Sequence, residues 1–102
     1  MELDLEEMKP YVKTVVNREF ETRKAATQGG KYRLKRHPFV SLHEKGLLDE
    51  EKLLNEFHLV QTKKSSLSAS ERAVINQIVF MAMQLAAEAK FAKQQEAEES
   101  HE

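Results

Sequence analysis

Apolar residues recur at three- and four-residue intervals over three stretches of this chain, and that spacing predicts helices. In the longest stretch, residues 68–95, Val74, Ile75, Ile78, Val79, Met81, Ala82, Leu85, Ala86, Ala89 and Ala92 share one wide face at about 100° per residue. Phe80, Met83, Ala87 and Phe91 form a second apolar stripe on another side. That leaves only Asn76, Gln77, Gln84, Glu88 and Lys90 as polar positions through the middle. One face suffices for a helix lying on a core; two faces predict a central helix or one that meets a second chain. Ser68 followed three residues later by Glu71 is a capping box, in which each side chain takes up an amide that the first turn leaves unpaired. Neither Gly nor Pro occurs between Glu71 and the end of the chain.

Near the amino terminus, Leu5, Met8, Val12, Val15, Val16 and Phe20 make an amphipathic stripe. Pro10 falls early in it. Either the helix proper begins near Lys9 with Pro10 in its first turn, or a short turn kinks into it. The pattern fades after Phe20; Ala25 and Ala26 can carry the helix on, and Gly29 and Gly30 are the stop signal. Residues 31–37 read as an extended connector. Pro38 opens a short segment over residues 39–45, closed by Gly46. Asp49 is the next cap, with Glu50 and Glu51 at the positive end of the helix dipole and Leu48 placed to staple onto Leu53. Leu53, Leu54, Phe57 and Val60 then define a helix over residues 50–61, and residues 62–67 form a polar connector. The expected fold is all-α: a small antiparallel bundle of three main helices plus one short one, with a long carboxy-terminal helix. Residues 1–95 form its single domain, and residues 96–102, with nothing to bury, fray as an acidic tail.

The net charge of −1 conceals a segregated pattern. Between residues 9 and 36 nine basic side chains meet only Glu19 and Glu21, a local balance of +7, while both ends of the chain are acidic. Such asymmetry marks either an anionic partner or charge neutralised within the fold or across a dimer. The sequence holds no cysteine, which removes disulfides, thiol nucleophiles and Cys-based zinc sites. Its acidic start is unlike a signal peptide, and its longest apolar run, residues 78–83, is far short of the roughly 20 residues of a membrane span. A cytoplasmic protein without membrane contact is the expectation.

Candidate chemistry is sparse. His37, His43, His58 and His101 include no pair spaced to share a helical turn, and the two-residue spacing of Glu56 and His58 sends the two side chains apart. The serines at 65, 66, 68 and 70 suit a connector and a helix start, without a nucleophile motif around them. Gly29-Gly30 lacks the pattern of a phosphate loop. No catalytic residue, metal ligand or cofactor is expected, and the chain reads as non-enzymatic. Two surfaces remain. The stripe of Phe80, Met83, Ala87 and Phe91 is a candidate interface, for core packing or a homo-oligomer ahead of a ligand groove. Lys31, Tyr32, Arg33, Lys35 and Arg36 are candidate anion- or nucleic-acid-binding residues, with cations for phosphates and a tyrosine able to stack on a base. The leading expectation is a helical interaction protein, an adaptor, assembly component or regulator, self-associating through its last helix. The alternative is a nucleic-acid-binding accessory protein using residues 18–36.

Overall fold

A computed structural model describes residues 4–27 and 37–99, with side chains to Lys24 and from His37 to Glu96. The described residues form four helices: α1 (Leu5–Thr27), α2 (Pro38–Glu44), α3 (Glu50–Gln61) and α4 (Ala69–Glu99). The all-α expectation of three main helices, one short one and a long carboxy-terminal helix holds.

The first helix begins earlier than either reading of Pro10 allowed. Asp4 caps it, its Oδ1 accepting from the amides of Glu6 at 3.0 Å and Glu7 at 3.4 Å. Glu6 and Glu7 follow in the first turn, where the helix dipole favours carboxylates. Pro10 therefore lies inside α1 and is not its starting residue. Its missing amide costs one bond, to the carbonyl of Glu6. Met8, Val12, Val15 and Val16 are buried, as the stripe implied, but Leu5 stands 46% exposed, outside the core.

At α2, Pro38 takes the first helical position and His37 caps it, Nδ1 accepting from the Phe39 amide at 3.1 Å. Gly46, at φ +73°, closes the helix in a Schellman turn: its amide donates to the carbonyl of His43 and that of Leu47 to Leu42. The end of α3 repeats the geometry with Lys63 at φ +61°, its amide donating to Val60 and that of Lys64 to Leu59. A lysine there adopts a left-handed conformation that glycine adopts without strain. Asp49 caps α3 through the Lys52 amide at 3.2 Å, and the staple residues Leu48 and Leu53 are both buried.

The capping box of α4 forms as expected. The Glu71 amide donates to Ser68 Oγ at 3.2 Å, and the Ser68 amide donates to Glu71 Oε1 at 3.1 Å. The helix then runs to Glu99, past the expected end at Gln95. α4 is the element on which the others assemble: α1, α2 and α3 all pack against it, and α1 also touches α3. Gln61 reaches Asn76 and Phe57 reaches Phe80, so α3 and α4 run antiparallel. Phe20, late in α1, lies against Phe39 and His43 of α2, and α2 is tied to the first turn of α4; α1 thus also runs antiparallel to α4. Ile75, Ile78, Val79 and Ala82 of α4 join Val12, Val15, Leu42 and Leu53 in one buried core.

Candidate functional site

α4 presents two faces with opposite fates. The inner one is covered through its first half, Ile75, Val79 and Ala82 being fully buried and Val74, Leu85 and Ala86 packed against the core. Two residues assigned to it from the spacing lie outside: Met81 is 38% exposed and Ala92 is open to solvent. Met81 lies at the edge of the face, and Ala92 lies ten residues past Ala82, the last buried residue of α4 among those described. Periodicity places residues on a face; it does not say how far the neighbouring helices reach along it.

The second stripe is mostly uncovered. Phe80 is 56% and Phe91 61% exposed, and Ala87 is exposed. Met83 differs from the other three, packing partly against the core beside α3. The single contact described for Phe80 is edge-to-face with Phe57, ring centroids 6.2 Å apart. Isolated exposed apolar residues are ordinary; two phenylalanines in line on one helix face are a patch.

Charged side chains gather elsewhere. Glu71 is buried, and its Oε2 accepts from Ser41 Oγ and Lys45 Nζ, each at 2.8 Å. The Lys45 ammonium, with the Ser68 amide and the Ser41 hydroxyl, outweighs burial and pulls the carboxyl down to about 2. Both oxygens are engaged within the chain, Oε1 by one donor and Oε2 by two. The carboxylate latches α2 to α4 and is structural. In the sequence it showed only as half of a capping box; a local motif carries no record of its tertiary donors.

Arg23, Phe20, Phe39 and His43 make a second cluster, at the junction of α1 and α2, around an open hollow of about 370 Å³. The Arg23 guanidinium lies 4.8 Å from the Phe39 ring centre, and its Nε, 3.5 Å from Glu19 Oε2, is buried without a hydrogen bond. Burial, then the charge of Arg23, lower the pKa of His37. That keeps the imidazole neutral and its Nδ1 able to accept as a cap. The described histidines do not converge: His37 caps α2, His43 edges Phe20 and His58 faces solvent on α3. Among the described residues no three acidic or histidine side chains group as a metal site, and no helix is long and apolar enough to cross a membrane.

The basic candidates Lys31, Tyr32, Arg33, Lys35 and Arg36 lie outside the described residues. Within α1, Lys9 pairs with Glu6 at 3.0 Å and Arg23 with Glu19, so part of the basic window is balanced locally. No protein-family model matches this chain, and neither a curated protein nor a solved structure does.

Proposed function

We propose that this chain is a non-enzymatic helical interaction protein, an adaptor, assembly component or regulator, that associates with itself through α4. One observation carries the reading: the outer face of α4 exposes Phe80 and Phe91, each more than half accessible, on the side away from the core. Covering such rings is worth roughly 25 cal/mol per Å² of apolar surface, a drive toward association that a charged face lacks. The buried polar groups support the non-enzymatic half of the reading, since Glu71 is committed to holding α2 on α4.

The test is the molecular weight in solution by sedimentation equilibrium. The wild type is expected above the 11.8 kDa of one chain at micromolar concentration. Phe91→Glu is expected to return it to a monomer with unchanged helical circular dichroism, because Phe91 is 61% exposed and lies outside the buried core. Phe80→Glu is the less clean variant, since it also removes the edge contact with Phe57. A wild type that stays monomeric at every accessible concentration overturns the proposal.

A further inference from the structure

Ala73, Gln77, Phe80, Gln84, Ala87, Phe91 and Gln94 follow one another at intervals of four, three, four, three, four and three residues. That is the 3.5-residue repeat of a two-stranded coiled-coil seam, and all seven are exposed. The seam lies on the opposite side of α4 from Ile75, Ile78 and Ala82, and it extends about 32 Å along the helix at 1.5 Å per residue. It carries no charge in a chain whose residues are 32% charged. The nearest charged positions, Glu88 and Lys90, flank it on opposite sides. A neutral seam with aromatic, alanine and glutamine positions is complementary to itself, and a strongly charged partner would leave its own charges unpaired against it.

Resting on the self-association proposed above, we infer that two copies pair through this seam with their α4 helices antiparallel. In that register Phe80 faces Phe91 of the partner subunit, Ala87 faces the partner's Gln84, and Gln77 faces the partner's Gln94. The two phenylalanine layers close the ends of a narrow centre, where alanine lets the backbones approach. Charge decides the direction. From Gln95 to its end at Glu99, α4 carries Glu96, Glu98 and Glu99 and no lysine or arginine. A parallel pair would set these carboxylates beside their copies, together with the like ends of the two helix dipoles. The antiparallel pair separates them. Each acidic end then runs alongside the opening of the other α4, where the helix dipole is positive and which the exposed Lys63 and Lys64 precede in the chain.

The absence of native cysteine allows a direct test. Gln77→Cys and Gln94→Cys are prepared separately in the full chain, one with a mass label, and oxidised alone and as an equal mixture at micromolar concentration. Both positions are exposed, so neither change threatens the fold. The antiparallel seam predicts a disulfide between the two variants in the mixture, at least about tenfold over either variant paired with its own copy. Ready cross-linking of each variant with itself would mean a parallel pair and overturn the inference, leaving self-association standing. A dimer by sedimentation with no cross-link in any combination would place the interface elsewhere and overturn it too. A monomer overturns both this register and the proposed function beneath it.

Discussion

The two halves of α4 are one continuous helix built from similar residues, yet they are helical for different reasons. From Ala69 to Ala86 the helix is held by its surroundings: a capping box at its start, Ser41 and Lys45 clamped onto Glu71, and side chains of α1, α2 and α3 over Ile75, Ile78 and Val79. From Ala87 to Glu96 every residue but Ala89 is exposed, and no hydrogen bond or ion pair to another element is described there. That half stands on the propensity of Ala, Gln, Glu and Lys and on propagation from the anchored half, which needs no new nucleus. Helical pattern and tertiary anchoring are therefore separable. A free face on the outer half costs the fold little, and this makes it available for association.

The largest difference should appear when equal chemistry is removed from the two halves. Ile75→Ala deletes a fully buried side chain between α1 and α3, and its cost should be about 3 kcal/mol from lost transfer energy plus the cavity. Phe91→Ala removes a larger side chain and should cost less than about 0.5 kcal/mol, measured by urea unfolding at a dilution where the chain is monomeric. Comparable losses at both positions would mean that the outer half is anchored within its own chain.

Next in size is the latch at Glu71. Glu71→Gln should cost on the order of 2 kcal/mol, since charge-assisted hydrogen bonds are worth more than neutral ones but the Lys45 side chain is half exposed and screened. The sign of the pH dependence is set by the direction of the shift. The folded state holds the carboxyl down to about 2, below the 4.5 of the free group. Its stabilisation is therefore complete above about pH 4.5 and lost as the pH falls from there toward 2. Urea melts of wild type and variant should converge over that window. A difference that persists unchanged at pH 2 would show that Glu71 acts by packing and not by charge. Among its described side chains the outer half offers no matching carboxylate: Glu88 and Glu96 are exposed, and replacing them with Gln should leave the melts where they are.

These contrasts also mark how far sequence alone reaches. Asp49, Ser68 with Glu71, Pro38 and Gly46 are local signals with local causes, and each stands where its chemistry put it. Pro10 misled because its rule is local too: the cap at Asp4 started the helix ahead of it, and one missing bond did not stop propagation. The two-faced pattern of α4 was legible, but its meaning was not. Met81 and Ala92 share the wide face with Ala82 yet are exposed, because exposure depends on which neighbours cover a face and not on its periodicity. The donors to Glu71 lie 26 and 30 residues away in sequence, beyond any motif. The cluster of Arg23 with Phe39 likewise joins two helices that no spacing rule relates.

The smallest effect gives the sharpest test of the two-halves picture. Glycine in place of alanine removes one methyl group and adds backbone freedom, which costs about 1 kcal/mol inside a helix. At Ala82, fully buried, that cost adds to a lost contact and a small void, and the whole molecule must bear it: global stability should fall by about 1.5–2 kcal/mol. At Ala92 the side chain is exposed and lies off the Phe80–Phe91 seam, so nothing is lost except helical preference. If the outer half unwinds independently of the core, Ala92→Gly should leave the urea midpoint within experimental error. Its effect should appear as faster amide hydrogen exchange over the last turns of α4, by up to about fivefold, with exchange around Ile75 and Ile78 unchanged. Should the midpoint instead fall by the same amount as at Ala82, the two halves melt as one unit and the outer half is part of the cooperative core. A third result is equally informative: slow exchange at the outer turns that quickens only on dilution would mean that a second copy protects them.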